Sequence, residues 1–537
     1  MTAERRWNGW GDARVEDALK PEARAFLAQA VGAGQPVPDA TFAAALAQVE
    51  AQPSRLPPHP LVDTRAETRL RASFGQSMHD WLRLRLGVLG RVTDGVAFPT
   101  SSAEVRTLLD WARETGVQVL PSGGATSVAG HLTPVGAAPV LTLNMGRMMR
   151  LLDLDPVAQL ARFEAGVAGP DLEAQLRAHG WMLGHYPQSF EYATLGGWVA
   201  TRSSGQQSAR YGRIEALFAG GTLETPTGPW HIPTFPASAA GPDLREWVLG
   251  SEGRLGILTE ATVRVSRLPE REQFVGVFLP GWAEGEAAVR ELAQARLGLS
   301  MLRLANATET LTTLRLAGHE GAIAWLERYL ALRGCGEGKV LLLLGCTGAA
   351  AQVRAMRSRA SAILARHGGV STGTLLGGKW QANRFKGVYL RNALWDAGYA
   401  VDTMETACDW PRVDAMVSAL ETAGRAALAQ HGERTHCYTH LSHVYAQGSS
   451  VYATFVYRIG PDYTTALARW QSLKTAVGDA IVAHGGTITH QHGVGKDHLP
   501  WLAAEKGAPG MAAIAAMVRE FDPHGVMARG NLLGDEQ

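Results

Sequence analysis

The chain has 537 residues, of which 46% are hydrophobic and 19% charged, so it is long enough for several structural units and too apolar to be disordered. Lys and Arg total 51 against 50 for Asp and Glu, which leaves a formal net charge of +1 and predicts no nucleic-acid partner. The four cysteines form no CxxC pair and no ligand-spaced cluster. We therefore expect reduced thiols, no structural zinc site and a cytoplasmic protein.

The first part of the chain changes from a helical pattern to alternating helix and strand patterns. Residues 1–75 are rich in Ala, Pro and charge, and they predict short helices and loops without a strand. Ser101 to Glu104 then predicts the capping box of a helix. Apolar residues follow at helical spacing: Val105, Leu108, Leu109 and Ala112. A short strand is predicted at Val117–Leu120, directly before the glycine-rich loop 121–127.

The rest of the chain continues this alternation. A helix is predicted to begin at Pro170, a favourable first-turn residue, and to end at Gly180. A later helix presents one apolar face: Trp470, Leu473, Val477 and Ile481. Further strands are predicted at Val140–Met145, Arg162–Val167, Ile257–Val265, 339–345 and 451–457.

Three glycine-rich loops, 121–127, 194–205 and 250–256, lie next to predicted strands. Glycine lets backbone N–H groups approach a phosphate closely, and Thr126 and Ser127 add hydroxyl donors. The loops match neither a Walker loop nor a dinucleotide-binding GxGxxG motif, and one such loop alone is more often a surface turn. Three of them on one sheet system predict a long ligand that contains a pyrophosphate, and a dinucleotide flavin fits that description.

The same loops resemble the vanillyl-alcohol-oxidase/p-cresol-methylhydroxylase (PCMH) class of FAD-binding enzymes. The resemblance rests on Pro121 to Ser127, Gln188 to Trp198 and Gly250 to Gly256, in that order along the chain. Members with covalent FAD often have His after the Gly-Gly pair, where this chain has Ala125, so the resemblance implies noncovalent FAD. The implied cofactor-binding residues are Pro121, Ser122, Gly123, Gly124, Ala125, Thr126, Ser127, Gln188, Ser189, Thr194, Gly196, Gly197, Thr201, Arg202, Ser203, Ser204, Glu252, Gly253, Leu255, Gly256 and Ile257.

Within that class, the chain resembles the alkyldihydroxyacetonephosphate synthase (alkylglycerone-phosphate synthase) family. The matching motifs are Trp7 to Gly11, Gly196 to Gly205, His490 to Lys496 and Asn531 to Leu533. The family implies an α+β fold, with a two-subdomain PCMH-type FAD-binding domain, an α/β substrate (cap) domain and a helical N-terminal segment.

Domain boundaries follow from this resemblance and from a composition shift near Pro269, where glycine-rich loops become rarer. We predict a helical N-terminal segment at 1–75 and the FAD-binding domain at 76–268. The cap domain is predicted at 269–484, and a C-terminal segment that completes the active site at 485–537.

The family resemblance also implies a reaction. FAD-dependent exchange would replace the acyl chain of acyl-dihydroxyacetone phosphate by a fatty alcohol, a step of ether-lipid synthesis without net redox chemistry. It implies a lipid-like or small-molecule substrate, peripheral membrane contact, a homodimer and an apolar tunnel from the cap domain. The alternative is an FAD-linked oxidase or dehydrogenase of a hydroxy acid or alcohol. Related enzymes that oxidise D-2-hydroxy acids have an Asp-Gly-Asn-x-His run where this chain has Ala446 to Tyr452, which favours the synthase.

Two catalytic residues are carried over from the family. Tyr452 corresponds to the proton-transferring tyrosine, and it would act if neighbours lowered its pKa from about 10. In its strand one face carries Tyr452, Thr454, Val456 and Arg458, and the other carries Val451, Ala453, Phe455 and Tyr457. Arg391 corresponds to the arginine that holds the departing carboxylate through bidentate hydrogen bonds. Without the resemblance, these residues would be interpreted as a packed tyrosine and a salt-bridged arginine.

The segment His490 to Lys496 supplies the remaining predicted site residues. His490 and His492 alternate along a segment predicted to be extended, so both would point to one side and act in catalysis or bind a phosphate. Gln491 replaces the middle one of three family histidines and cannot carry a proton. The implied substrate-binding residues are Arg391, His490, Gln491, His492 and Lys496. An alternative role for His436, His440 and His443, with His490 and His492, is metal binding. The run His440-Leu441-Ser442-His443 has a suitable spacing, but no Asp or Glu stands beside it, so no metal is predicted.

Overall fold

Four sheets organise the part of the chain that the computed structural model describes, residues 4–15, 18–317 and 320–534. The first three residues of the predicted N-terminal segment and the last three of the predicted C-terminal segment lie outside these ranges. The strands are β1 (Val62–Asp63), β2 (Gly95–Ala97), β3 (Gln118–Ser122), β4 (Val140–Asn144), β5 (Leu151–Asp155), β6 (Leu160–Glu164), β7 (Trp181–Met182), β8 (Phe218–Thr225), β9 (Gly228–Ile232), β10 (Ile257–Arg264), β11 (Ser266–Arg267), β12 (Arg271–Leu279), β13 (Met301–Ala305), β14 (Val340–Gly348), β15 (Val370–Ser371), β16 (Tyr399–Asp409), β17 (His436–Leu441) and β18 (Gly448–Arg458).

Helices connect and cover these strands. They are α1 (Pro21–Val31), α2 (Phe42–Glu50), α3 (Ala66–Ala72), α4 (Met78–Arg85), α5 (Ser102–Thr115), α6 (Gly169–Arg177), α7 (Leu195–Thr201), α8 (Ser208–Tyr211), α9 (Ile214–Leu217), α10 (Arg245–Val248), α11 (Trp282–Gln294), α12 (Ala307–Ala317), α13 (Glu320–Leu332), α14 (Ala350–Arg366), α15 (Thr374–Asn383), α16 (Leu390–Asp396), α17 (Trp410–Ala429), α18 (Tyr463–Ala483) and α19 (Leu499–Phe521), with a 3-10 helix at Gly387–Tyr389. None of the helices in the described part of the chain combines the length and apolar character that crossing a bilayer requires.

The first sheet has the strand order β1-β2-β4-β3, and α5 packs against it. The helix predicted here is confirmed, because Ser101 caps α5 by accepting a hydrogen bond from the Glu104 N–H and the predicted apolar residues are buried. The Glu104 carboxylate accepts from the Thr100 N–H instead of the Ser101 N–H, so the second half of the capping box is displaced by one residue. The prediction that residues 1–75 lack strands is wrong: Val62 and Asp63 form the edge strand β1, which is too short to leave a sequence pattern.

The second sheet is antiparallel, with the order β5-β6-β10-β8-β9, and a two-stranded sheet of β7 and β11 lies beside it. The strand predicted at Arg162–Val167 lies at Leu160–Glu164, because the chain leaves the sheet at Gly166 and packs against the Met145 carbonyl. Helix α6 spans the first part of the helix predicted from Pro170 to Gly180, and α7 packs over the same core. The glycine-rich segments 121–127 and 250–256 lie at the ends of β3 and β10, whereas most of 194–205, which we predicted to be a loop, forms α7.

The largest sheet is antiparallel and has seven strands in the order β15-β12-β14-β13-β17-β18-β16. One of its faces packs against α11, α14, α17 and α18. The predicted alternation along β18 is confirmed, since Val451, Ala453, Phe455 and Tyr457 belong to this helix-covered core, whereas Tyr452 and Thr454 face a cavity on the opposite side. The predicted apolar face of α18 is also buried in this core.

The segment after α19 returns to the first sheet. The Val119 N–H donates to the Val526 carbonyl and the Ala528 N–H donates to the Val119 carbonyl, both at 2.8 Å. Residues 526–528 therefore cover the free edge of β3. Further along the chain, the side-chain amide of Asn531 donates to the carbonyls of His131 and Glu252.

Candidate active site

One cavity of about 1040 Å³ separates the seven-stranded sheet from the two smaller sheets. We call its two sides the loop wall and the sheet wall. The loop wall consists of the segments 121–127, 188–204, which includes α7, and 251–257. The sheet wall consists of the residues of β13, β14, β16, β17 and β18 that face the cavity. The three predicted glycine-rich loops thus meet on one elongated space, as a single long ligand requires.

Loop 121–127 offers backbone donors to the cavity. No described residue accepts a hydrogen bond from the N–H groups of Gly124, Ala125 or Thr126. Ala125 has a left-handed backbone conformation with φ 51°, which turns successive N–H groups towards one side, as in anion-binding nests. A Cβ atom on Gly124 would lie 1.8 Å from the Tyr192 carbonyl oxygen, so only glycine allows the loop to pack this closely.

Most of the predicted cofactor-binding residues line the cavity, and two do not. The lining residues are Pro121, Ser122, Gly123, Gly124, Ala125, Thr126, Ser127, Gln188, Ser189, Thr194, Gly196, Gly197, Thr201, Ser203, Ser204, Glu252, Gly253, Gly256 and Ile257. Arg202 ends α7 in a left-handed conformation and directs its Nη1 to Glu246 on the surface at 2.7 Å. Leu255 is fully buried against Val518 and Leu533. Both of these residues make their contacts away from the cavity and support the backbone of the segments that line it.

The loop wall fits a dinucleotide flavin. Its free N–H groups suit a pyrophosphate, and the surrounding Thr and Ser hydroxyls add donors. The indole N–H of Trp198 and the side-chain oxygen of Gln206 are buried without a hydrogen-bond partner among the described residues, and both residues line the cavity. Buried polar groups of this kind need a partner, which a polar ligand in the cavity supplies. Ala125 has no atom that could form a covalent bond to a flavin.

The sheet wall changes from apolar to ionisable across the strand order. Leu341 and Leu343 on β14 and Met301 on β13 form the apolar end, and Arg303 on β13 begins the polar end. The polar residues that follow on the next strands are Tyr438, His440, Tyr452, Thr454 and Thr403. Neighbouring strands of a sheet lie about 4.8 Å apart, so the apolar side chains of β14 and the polar side chains of β17, β18 and β16 line different parts of one continuous cavity.

Tyr452 lies in the polar part of the sheet wall. Its hydroxyl donates to Thr403 Oγ1 at 3.1 Å, its ring stacks on His440 with centroids 4.8 Å apart, and the His492 ring meets it edge-on at 5.8 Å. Burial first, and then the charges of Glu405 and Asp402, raise its pKa to about 12. The expectation that neighbours lower this pKa is therefore wrong, and Tyr452 is protonated at neutral pH.

Arg391 presents a buried guanidinium to the cavity. Its Nη1 donates to the Gln76 carbonyl at 2.5 Å, its plane lies over the Trp81 ring at 4.2 Å, and its Nε has no hydrogen-bond partner among the described residues. No carboxylate in the described ranges forms an ion pair with it. Burial lowers its pKa to about 10, so it remains charged at neutral pH. A buried cation of this kind is suited to an anionic ligand.

The segment around His490 and His492 is not the extended strand that we predicted. It wraps around the carboxylate of Glu405, whose Oε1 accepts hydrogen bonds from three successive N–H groups, those of His490, Gln491 and His492, at 2.9, 2.7 and 3.0 Å. Both imidazoles nevertheless approach this carboxylate, with Nδ1 distances of 3.5 Å for His490 and 3.7 Å for His492. Burial opposes ionisation of Glu405, but the two histidines and the Gln491 N–H outweigh it and hold its pKa well below the usual value.

The predicted residues of this segment do not all face the cavity. Gln491 and His492 line it. His490 turns behind them, where its Nε2 lies 2.6 Å from Arg213 Nη1 and 2.7 Å from the Tyr445 hydroxyl. The Lys496 ammonium donates to the His131 carbonyl at 3.2 Å and to Asn531 Oδ1 at 2.8 Å. Lys496 thus holds the C-terminal segment in place.

Comparison with known proteins agrees with this architecture. A family described as "FAD binding domain" matches residues 93–232, and one described as "FAD linked oxidases, C-terminal domain" matches residues 268–532. The alkyldihydroxyacetonephosphate synthase of Trypanosoma brucei brucei is 30% identical over 87% of this chain and 78% of its own length. The chain belongs to the alkyldihydroxyacetonephosphate synthase family. The predicted family, the FAD cofactor and the assignment as an FAD-dependent enzyme are confirmed.

Solved structures extend the match to the whole fold. A structure described as alkyldihydroxyacetonephosphate synthase superposes with a TM-score of 0.81 at 26% identity, covering 98% of each chain. A p-cresol methylhydroxylase structure with bound substrate superposes with a TM-score of 0.69 at 13% identity, covering 94% of this chain and all of that one, so it shares the fold. The predicted α+β fold class, with a PCMH-type FAD-binding domain, is confirmed.

Two groups in this member of the synthase family were missed from the sequence. Glu405 is separated from the segment it holds by more than eighty residues, so no local pattern connects them. The second group is a buried cluster of Arg303, Glu309 and His440, which faces the cavity beside Tyr452. The alternation of His436, Tyr438 and His440 along β17 was the available signal, but it was considered only for metal binding. Within the described ranges, no group of three or more His, Cys, Asp or Glu residues is arranged to hold a metal ion.

Proposed function

We propose that the protein exchanges the acyl chain of an acyl-dihydroxyacetone phosphate for a fatty alcohol, as the names of its synthase relatives suggest. The observation that carries the proposal is the continuity of the cavity. Its reactive end, with Tyr452 and Arg391, continues into an apolar arm. The apolar arm is lined by Met301, Leu314, Leu341, Leu343, Leu376 and Trp380.

The chain's own groups have separate tasks in this exchange. The apolar arm shields a long hydrocarbon chain from water, which contributes about 0.8 kcal/mol per buried methylene. Arg391 holds the carboxylate of the departing fatty acid, because it is a cation of the cavity wall near Tyr452 that pairs with no described carboxylate. When bound, FAD supplies a nucleophilic ring nitrogen, and the exchange consumes no external oxidant.

Tyr452 acts from its protonated form. With a pKa of about 12, its hydroxyl stays protonated at neutral pH, so it can donate a hydrogen bond or a proton to a developing oxyanion and does not act there as the base. Thr403 Oγ1 accepts a hydrogen bond from the Tyr452 hydroxyl and so fixes the direction of the O–H bond. His492, edge-on to the ring and in contact with the Glu405 carboxylate, confines the ring from the other side.

Product analysis tests the proposal. The protein is incubated with an acyl-dihydroxyacetone phosphate and a long-chain alcohol labelled with ¹⁸O, and products are identified by mass spectrometry. We expect an alkyl ether that keeps the label, one free fatty acid for each ether formed, and no consumption of dioxygen or a dye acceptor. Stable bleaching of the flavin by a 2-hydroxy acid, with acceptor consumption and no ether, would contradict the proposal and support the dehydrogenase alternative.

We also propose peripheral contact with a membrane through the helices over the apolar arm. Trp325 and Leu332 on α13 and Leu375 on α15 are 69%, 86% and 78% exposed, and α15 also carries Leu376 of the apolar arm. Exposed apolar residues beside a lipid cavity favour a bilayer surface. Trp325→Ser combined with Leu375→Ser should weaken sedimentation with phospholipid vesicles, whereas Val157→Ser, which is 92% exposed and lies on the opposite domain, should not. Equal sedimentation of both variants would contradict this contact.

The homodimer and the cytoplasmic location stay predictions from the sequence. Light scattering coupled to gel filtration tests the first, and fractionation of cells that produce the protein tests the second. A monomeric mass or recovery of all protein with membranes would contradict them.

A further inference from the structure

A buried histidine beside Tyr452 has no role in the function described above. His440 lies on β17 and faces the cavity, and its Nδ1 is 3.0 Å from Glu309 Oε2 and 3.1 Å from Arg303 Nη2. Arg303 Nη2 also donates to Glu309 Oε1. Burial opposes the ionisation of Glu309, but Arg303 and His440 outweigh it and lower its pKa to about 2.

The contacts determine which ring nitrogen of His440 carries the proton. An ionised carboxylate can only accept hydrogen bonds, so the short contact between Glu309 and Nδ1 requires a proton on Nδ1. Arg303 is then a donor to Glu309, because it cannot donate to an N–H group. The lone pair of the neutral ring is consequently on Nε2, which bonds to no residue in the described ranges. A carboxylate that orients a histidine in this way is a recurring arrangement for a base.

The position of His440 connects it with the reacting groups. Its ring lies nearly parallel to that of Tyr452, with 15° between the planes and 4.8 Å between the centroids. Both side chains project from neighbouring strands into the same part of the cavity. Burial and the Arg303 charge lower the pKa of His440, with Glu309 opposing, so the imidazole is neutral at physiological pH. Tyr452 is protonated there, whereas His440 offers an unprotonated ring nitrogen that bonds to no described residue.

We infer that His440 Nε2 is the general base that takes the hydroxyl proton of the incoming fatty alcohol, with Glu309 orienting the ring. This inference rests on the proposed exchange reaction. In the exchange as a whole, the bond between C1 and the acyl oxygen breaks and the fatty acid leaves as a carboxylate. The bond between C1 and the alcohol oxygen forms, and the alcohol proton is left over. That proton passes to Nε2 and is afterwards released to water, so charge and atoms balance.

The test separates loss of the acid from addition of the alcohol. The holoenzymes of His440→Ala, Glu309→Gln and wild type are compared in two assays: release of fatty acid from acyl-dihydroxyacetone phosphate without alcohol, and ether formation with alcohol. For His440→Ala we expect ether formation to fall at least ~100-fold while fatty-acid release stays within ~3-fold, the usual scale for losing a general base. Glu309→Gln should lose ~10-fold in ether formation only, because the amide still accepts the Nδ1 proton but no longer stabilises the imidazolium.

Added imidazole distinguishes a proton-transfer role from a packing role. In His440→Ala the removed ring leaves a space open to the cavity, so imidazole should restore ether formation at least ~10-fold, in proportion to its neutral form. His436→Ala is the matched control, since it removes a histidine from the same strand. His436 forms a hydrogen bond with Thr312 and does not line the cavity. It should keep both activities and show no imidazole effect. Flavin absorbance and melting temperature establish that each variant is folded.

Three outcomes would overturn the inference. Ether formation within ~3-fold of wild type in His440→Ala would exclude His440 as the base and leave the exchange reaction standing. Equal losses in both assays without imidazole rescue would assign the cluster to packing. If the wild-type protein forms no ether, the exchange proposal fails and the role of His440 fails with it.

Discussion

The loop wall and the sheet wall meet the same cavity with different chemical groups. The loop wall presents backbone N–H groups and small side chains from three loops, and its fit depends on the absence of Cβ atoms at Gly123 and Gly124. The sheet wall presents ionisable and aromatic side chains, held by partners such as Glu309, Glu405 and Thr403. The first wall recognises a fixed cofactor by shape, and the second performs chemistry on an exchanging substrate. Substitutions should therefore affect binding of FAD on the loop wall and turnover on the sheet wall.

The largest effect is expected at Gly124. In Gly124→Val the added Cβ would lie 1.8 Å from the Tyr192 carbonyl oxygen, so loop 121–127 must move away from Tyr192. This movement separates the backbone N–H groups that together bind the pyrophosphate. We expect protein without FAD, measured as the ratio of flavin to protein absorbance after purification. Gly336→Val, in which the added Cβ would have no neighbouring atom within 4 Å, should keep its flavin. A yellow Gly124→Val protein would show that the loop does not recognise the cofactor by shape.

Tyr452→Phe tests the sheet wall with the least change in volume. We expect turnover to fall ~100-fold or more with FAD bound, because the phenol oxygen is removed and the ring contacts with His440 and His492 remain. Tyr399→Phe is the matched control. Its hydroxyl bonds the Gly32 carbonyl and the Gly34 N–H, so this variant should lose ~1 kcal/mol of stability per hydrogen bond and no turnover. Unchanged turnover in Tyr452→Phe, with a lower melting temperature, would remove Tyr452 from the mechanism.

Arg391→Lys should have a smaller effect on turnover. An ammonium keeps the charge but not the planar fork over Trp81, so we expect a ~10- to 100-fold loss, the scale of one charge-assisted hydrogen bond. Steady-state kinetics with FAD-saturated enzyme measures it, and Arg412→Lys on the surface serves as control. Loss of FAD in Arg391→Lys would contradict the division between the two walls.

Glu405→Gln should reduce the stability of the fold as well as the activity of the enzyme. The carboxylate accepts three backbone N–H groups, and we expect removal of its charge to reduce the free energy of unfolding by ~2 kcal/mol. Because its folded-state pKa lies below the usual 4.5, the wild-type contribution is present at neutral pH and is lost as the pH falls below about 4.5. Denaturant titration at pH 7 and pH 4 measures both effects. A difference between variant and wild type that does not shrink at low pH would contradict this role.

The smallest effect on turnover is expected at Asp497, which does not line the cavity and whose backbone N–H donates to the Ala129 carbonyl. Burial, with Asp80 and Asp402 adding to it, raises its pKa from 3.8 to about 7, and its Oδ2 has no hydrogen-bond partner among the described residues. The unfolded chain therefore binds fewer protons than the folded one between these values, and the contribution to stability falls as the pH rises from 3.8 to 7. Asp497→Asn should match wild type at pH 4 and be ~4 kcal/mol more stable at pH 8, because each unit of pKa shift corresponds to about 1.4 kcal/mol. Asp414→Asn on the surface should show no such gain, and a gain equal at both pH values would contradict the assignment.

The two walls also differ in how far the sequence predicted them. The residues of each glycine-rich segment, such as Gly123 to Ser127, follow one another in the sequence, so three such segments and the family resemblance were enough to predict the cofactor. The sheet wall depends on the register of β16, β17 and β18, which pairs Tyr452 with His440 on the preceding strand and with Glu405 on β16, a strand more distant in the chain. The alternation in β18 predicted which face Tyr452 occupies. It could not predict the burial and the charges that raise its pKa.

The prediction of an extended backbone around His492 was wrong for a related reason. A spacing of two residues is typical of a strand, but here a single distant carboxylate, Glu405, collects three successive N–H groups and bends the backbone around itself. The spacing of residues in a sequence indicates a local backbone conformation. It does not indicate that a distant carboxylate will be buried against that segment and bend it.

The return of residues 526–528 to β3 has a consequence for biosynthesis. Ala528 and Asn531 line the cavity, and Lys496 of the histidine segment is fixed by Asn531. A ribosome adds about 5–20 residues each second, and domains at the beginning of a chain fold before synthesis ends. The two smaller sheets can form early, but the edge of β3 is covered and the cavity is closed only after residue 531 has been added. A chain interrupted before residue 526 would therefore lack part of the cavity wall, and its cofactor site would be incomplete.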